Sequence, residues 1–265
     1  MAKPKKNTQA WAVTYADMVT LLLTFFVLLL VILSEAEKQI EYQISKLLDK
    51  AHSQMESALT DESIDVERVT KGVKVTIRGK LFKQLSPDIE PEYTKVIGEI
   101  GNLIKKTDVM NIDFTIMDST NEYFDLLSEL EKRGQELAIE IRCEGHTDDA
   151  PIPKEKRTKY QSNWELSSDR SLNVVKLMRR NASMPEKYFS ALGYGPFRPL
   201  ISVPTIRSKK NMRERDKLRE YNRRVEIYLD AFARDKTQTD EQELINRLTG
   251  KKKIKQVEVS TEQTS

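Results

Sequence analysis

The sequence predicts a single N-terminal transmembrane helix followed by a two-layer α/β domain. Three observations carry this. One long apolar run, AWAVTYADMVTLLLTFFVLLLVILS, lies near the amino end. A charged stretch with apolar residues at helical spacing comes next. Beyond about residue 66, alternating segments interleave with segments of helical period, the pattern of helices laid on one face of a sheet.

The elements follow in order. Residues 1–11 form a basic tail in which Lys3, Lys5 and Lys6 stand without an acid. From Ala12 to Leu33 the run is about 22 residues, enough to cross roughly 30 Å of hydrocarbon. Glu35 and Glu37 follow it, so the positive-inside rule puts the amino terminus in the cytoplasm and the rest of the chain outside the membrane. Asp17 lies within the run, and Thr14, Asp17, Thr20 and Thr24 share one arc of the helix. An ionisable side chain there is costly and marks an ion path or a protein contact. Two plainer readings stay open. Asp17 could complement the positive end of the helix dipole, or the run could be a signal peptide ending in Ser34-Glu35-Ala36. The length of the run and the aspartate within it favour an anchor.

Residues 34–65 are expected to be a linker with an amphipathic helix, since Ile40, Ile44, Leu47, Leu48, Ala51, Met55 and Leu59 recur at helical intervals. It reads as a spacer or stalk, or as a movable segment that lies on the membrane or a partner and blocks a channel.

The folded domain is placed at 66–232. Val73, Val75 and Ile77 alternate with polar residues up to Gly79, giving a strand. PDIEPEYTKVIGEIGNLIKKT gives a helix that buries Val96, Ile97, Ile100, Leu103 and Ile104. Ile112, Phe114 and Ile116 suggest a short strand, and NEYFDLLSELEKRG a helix. ELAIEIRCEG is a strand. NWELSSDRSLNVVKLMRR is a helix with Asn163 available as its cap and Leu166, Val174, Val175 and Met178 inward. KYFSALGYG and RRVEIYLDA add two strands, the second burying Val225, Ile227 and Leu229. Residues 233–265 are polar and read as a mobile tail with a weak helix around Glu241 to Leu248.

Composition narrows the function. The 265-residue chain has a net charge of +3 with both signs plentiful, so no nucleic-acid footprint is forced. The lone Cys143 alternates with Leu137, Ile139 and Ile141 and reads as a buried strand thiol. His52 and His146 are far apart without cysteine companions, which argues against a zinc site. No glycine-rich phosphate loop is present, so nucleotide hydrolysis is not expected.

Three motifs remain. GHTDDAPIP, Gly145 to Pro153, follows a strand and sets Asp148 and Asp149 in a turn. SNWELSSDRS opens a helix with Arg170 about two turns in. NRRVEI places Asn222 and Arg223 at the entry to the last strand. Acid, amide and guanidinium groups could converge at one sheet edge and suit a zwitterionic ligand, with Asp148 for an ammonium and Arg170 for a carboxylate. Taken singly, Asp148 could equally be a turn former and Arg170 a surface ion-pair partner.

HTDDAPI, SNWELSSDR and YNRRVEI closely resemble the peptidoglycan-binding domain of OmpA-like proteins. WAVTYADMVTLLLTFFVLLL resembles the amino-terminal segment of the MotB family of flagellar stator subunits. The resemblance covers about residues 1–232 and implies an OmpA-like domain of β-α-β-α-β-β type, here with an inserted strand-helix unit at about 110–134. It implies that Asp17 carries the ion, H+ or Na+, with Tyr15, Thr20 and Thr24 flanking its route. Tyr15 is similar to proton-type members, Phe25 to Leu30 to the sodium types PomB and MotS, and protons are favoured. Ile40, Ile44, Leu47 and Leu48 would belong to the plug that keeps unassembled stators closed. Thr147, Asp148, Asn163, Leu166, Arg170 and Arg223 match the wall-binding signature, with Asp148 and Arg170 expected on the meso-diaminopimelate part of the stem peptide. The implied protein is a homodimer within a ring of MotA/PomA-type four-span subunits in the inner membrane, with its C-terminal domain in the periplasm. It is not an enzyme, and no cofactor, metal or nucleic acid is implied. A wall tether without a motor, or an ion-driven unit of another machine, is the alternative.

Overall fold

The computed structural model describes residues 10–112, 123–156 and 159–236. The basic tail up to Gln9, the expected strand positions Phe114 and Ile116, and residues 237–265 with the expected helix at Glu241 lie outside them.

Helix α1 runs unbroken from Ala10 to Ala58. Its first part is long and apolar enough to cross a membrane, and none of its span is buried against the rest of the chain. Its second part is not a separate linker. Ile40, Ile44, Leu47, Leu48, Ala51 and Met55 are buried in the same core as the sheet. The sequence boundary at residue 65 therefore cuts through a packed unit. Periodicity located the apolar stripe correctly but could not say what it faces. Polar contacts fasten the helix: Arg68 Nε donates to Asp49 at 2.7 Å, and Lys50 pairs with Asp108 at 2.6 Å.

Among the described residues the sheet has five strands: β1 (Ile64–Val69), β2 (Gly72–Arg78), β3 (Gln135–His146), β4 (Phe189–Gly195) and β5 (Arg224–Asp235), in the order β1-β2-β5-β3-β4. Only β3 and β4 are parallel; the other pairs are antiparallel. β1 pairs with β2 as an edge strand that the sequence reading placed partly in the linker. β5 runs to Asp235, three residues into the expected tail, because β3 offers it partners back to Gln135.

Helices α2 (Pro91–Lys106), α3 (Asp108–Asn111), α4 (Phe124–Lys132) and α5 (Asn163–Ala182) follow in chain order, with α6 (Val203–Ser208) and α7 (Met212–Asn222) between β4 and β5. The expected β-α-β-α-β-β frame is present as β2, α2, β3, α5, β4 and β5. Within the inserted unit the helix is observed as α4, but Met110 lies in α3 and Ile112 is its cap. The sequence patterning assigns no element to α6 or α7. Their charge-rich sequence, MRERDKLREYN in α7, buries only Asn222 and so lacks the apolar stripe that marks a helix.

Burial alternates along the strands. Val73, Val75, Ile77, Ile141, Cys143, Val225, Ile227 and Leu229 are fully buried under the helices. Burial also raises the Cys143 thiol pKa, as expected of an inert core cysteine. Opposite faces of β3 and β5 carry Arg142, Glu144, His146, Arg224, Glu226, Tyr228 and Asp230. Helix α5 lies very close to β3 and β4. A Cβ on Gly145 would meet the Ser167 carbonyl oxygen at 2.3 Å, and one on Gly193 would meet Ser168 N at 2.4 Å. Glycine at both positions is what lets the helix approach, and that approach brings Arg170 to the HTDD turn.

Candidate functional site

The end of β3, the start of α5 and the start of β5 meet around a groove of about 970 Å³. All six residues predicted for the site line it: Thr147, Asp148, Asn163, Leu166, Arg170 and Arg223.

Asp148 is held in place from two directions. Its Oδ1 accepts the Ala150 N–H at 3.0 Å, an Asx-type turn, and its Oδ2 accepts from Arg223 Nη1 at 2.6 Å. Asp148 thus forms the turn and also lines the groove. Asn163 is not the helix cap. Ser162 is, accepting the Glu165 N–H at 3.3 Å, while Glu165 returns the contact to Gln161 N–H at 2.8 Å. Freed from capping, Asn163 Nδ2 donates to Ala150 O at 2.8 Å and locks the HTDD turn to α5.

Arg170 is not a surface ion-pair partner; it is 9% exposed. Its Nε donates to Ser86 O at 3.1 Å, its Nη2 to Lys83 O at 3.4 Å, and the guanidinium lies 4.8 Å from the Phe82 ring centre. Nη1 has no hydrogen-bond partner among the described residues, and Arg170 lines the groove. Burial lowers the Arg170 pKa to about 10, with Asp148 opposing that shift, so the group stays charged at neutral pH. Leu166 is buried with Ile152 and Tyr160 as a small apolar floor. Thr147 is 5% exposed, and its Oγ1 has no partner among the described residues.

Sequence reasoning missed two supports. Phe82, Lys83 and Ser86, from the loop after β2, position Arg170, and no spacing rule announces a loop carbonyl. Arg219 on α7 donates to Asp149 at 2.8 Å, a pairing that no sequence pattern announces because α7 has no apolar stripe. The hydrogen bond from Arg219, opposed by burial, holds the Asp149 pKa below its ordinary value.

The second predicted site lies on the exposed part of α1. The hydroxyls of Thr14, Thr20 and Thr24 bond back to the carbonyls of Trp11, Asp17 and Leu21 at 2.9, 2.8 and 2.9 Å. The threonines therefore need no outside partner, contrary to a stripe that is polar throughout. The Asp17 carboxylate has none among the described residues, and Tyr15 is 60% exposed. The residues assigned to a plug, Ile40, Ile44, Leu47 and Leu48, are 3, 6, 2 and 1% exposed. In this arrangement they seal α1 to its own domain, so reaching a membrane surface would require that face to undock.

Residues 1–51 match a family model described as the membrane protein MotB of the proton-channel complex MotA/MotB. The chain is 28% identical over 271 residues to Motility protein B of Bacillus subtilis, covering 86% of this chain and 96% of that one. It is 23% identical to Motility protein B of Helicobacter pylori, covering 89% and 93%. An uncharacterized Bacillus subtilis protein, YtxE, is 25% identical over 86% of this chain and 90% of that one. Among solved structures, a putative MotB-like protein from Desulfovibrio vulgaris matches with a TM-score of 0.49 at 18% identity, covering 73% of this chain and 94% of that one.

Proposed function

We propose that this chain, a MotB-family protein, is a stator subunit that conducts an ion through Asp17 and holds the stator to peptidoglycan through the groove around Asp148 and Arg170. One observation carries the reading. A carboxylate without a partner among the described residues sits on a lipid-length helix that continues directly into a domain bearing a carboxylate-and-guanidinium groove. In lipid, Asp17 needs a protein neighbour, and a four-span MotA-type subunit would supply it. The chain would sit in the inner membrane as a homodimer, amino terminus cytoplasmic and domain periplasmic, with a proton as the favoured ion.

Energetics tie the two sites together. One elementary charge crossing about 100 mV releases about 2.3 kcal/mol. That work becomes torque only if the subunit is braced against recoil, and an unbroken α1 docked on the sheet gives the brace a stiff path. In the groove, Arg170 Nη1 would take a stem-peptide carboxylate, and Asp148, with acceptor capacity left beyond Arg223, an ammonium group. The test is Asp17→Asn in cells that make the four-span partner. Motility should vanish while membrane assembly and wall binding persist. Normal swimming would reduce the chain to a tether.

A further inference from the structure

On the sheet face away from the helices, the β3–β5 register sets Glu144 opposite Glu226, with His146 two residues further along β3. Relative exposures are 2%, 6% and 3%. The His146 Nε2 lies 3.8 Å from Glu144 Oε2 and 3.8 Å from Glu226 Oε2, and the candidate donor atoms all fall within 4.8 Å of one another. Those separations are too long for hydrogen bonds, and neither ring nitrogen has a partner among the described residues. The ring stacks on Tyr194 at 5.5 Å between centres.

We infer that Glu144, His146 and Glu226 form a divalent transition-metal site, with zinc or a similar borderline ion taking one imidazole nitrogen and two carboxylate oxygens. The donor set fits that class, since imidazole with carboxylate suits zinc and its neighbours better than calcium or magnesium. Bond lengths of about 2.0–2.2 Å need donor atoms roughly 3.3–3.5 Å apart in a tetrahedron, so each His–Glu pair closes by about 0.3–0.5 Å and the two carboxylate oxygens, within 4.8 Å of each other, by at most about 1.5 Å. The ring is buried, and each of its nitrogens lacks a partner among the described residues, so one is free to ligate.

The other polar contacts bound the affinity. Glu144 Oε1 accepts from Arg142, and Glu226 Oε1 accepts from Arg224 Nε at 2.5 Å. Glu226 Oε2 also accepts from Tyr228 OH at 2.7 Å. Each carboxylate thus keeps an oxygen turned toward the imidazole, while the guanidinium groups hold the acids in place and weaken cation binding. Because His146 and Arg224 line the ligand groove, an ion here would pin the strand end that carries Thr147 and Asp148.

The test uses the untagged full-length chain in detergent, stripped with chelator, then titrated with Zn2+ by calorimetry and with Co2+ by visible absorption. Binding of one Zn2+ per chain is expected. His146→Gln and Glu226→Gln should each weaken it about 100-fold and abolish the Co2+ bands. His52→Gln is the control, because the half-buried His52 faces the exposed Glu56 at 3.7 Å on α1, a pair open to an adventitious ion. Unchanged affinity in His146→Gln, or loss only in His52→Gln, overturns the assignment, as does failure of the intact chain to bind either ion. If circular dichroism shows His146→Gln unfolded, Glu144→Gln, which keeps side-chain volume and one acceptor oxygen for Arg142, carries the same comparison.

Discussion

Truncating Leu48 asks whether the helix segment after the membrane belongs to the domain. Leu48 is 1% exposed on the face of α1 that enters the core, beside Leu47 at 2%. Leu→Ala at such a site removes transfer energy and leaves a cavity, at a cost of about 2–5 kcal/mol. For a domain of this size each kcal/mol moves Tm by about 2–4 °C, so Leu48→Ala should lower Tm by about 4–20 °C. Tyr42, on the same helix but 67% exposed, provides the comparison, and Tyr42→Ala should stay within about 0.5 kcal/mol of the parent. The assay is thermal unfolding of the full-length chain in detergent, followed by circular dichroism and calorimetry. If Leu48→Ala melts with Tyr42→Ala, the segment is a free linker and the docked helix is wrong.

Other outcomes follow from the groove and its supports. Arg170→Ala should cost about 2 kcal/mol or more in wall binding, at least about 25-fold less protein pelleted with peptidoglycan sacculi; undiminished pelleting would move the site elsewhere. Gly145→Ala places a Cβ 2.3 Å from the Ser167 carbonyl oxygen and should destabilise the domain by about 1–3 kcal/mol, read from its denaturation midpoint. Asp149 has a folded pKa below its ordinary 3.8, so its pair with Arg219 stabilises the fold above that pH and fades as pH falls through the folded value. Arg219→Ala should accordingly lose stability at neutral pH and flatten the acid limb of a stability–pH curve; an unaltered limb would show that the pair contributes nothing.

Local patterning made most of the frame legible. Period-two alternation at Val73–Ile77 and Val225–Leu229 and the helical stripe at Leu166–Met178 each report a buried face, and the structure buries those faces. What failed needed long-range information. Ile40 to Met55 announce an apolar face without naming its partner. Asn163 and Ser162 are both good cap residues, and only the position of the Ala150 carbonyl decides between them. α7 hides because a charged helix with one buried residue carries no period. Asp148, Arg170 and Arg223 converge as read from their places in strand ends and helix, but Asn222, read with them, is buried and pairs with Ile201 instead. Thr147, Asn163 and Leu166 are reached only through the resemblance, and the loop carbonyls on Arg170 and the Glu144–Glu226 pairing exist only once strand register is set.

The central claim is that the Asp17 carboxyl takes up and releases the ion that crosses the membrane. Its most direct test is ion flux into vesicles holding the chain with its four-span partner, under an imposed potential of about 100 mV. Flux should be present with the parent chain and fall to the level of empty vesicles with Asp17→Asn, at equal amounts of assembled complex. Equal flux from the asparagine variant would contradict it.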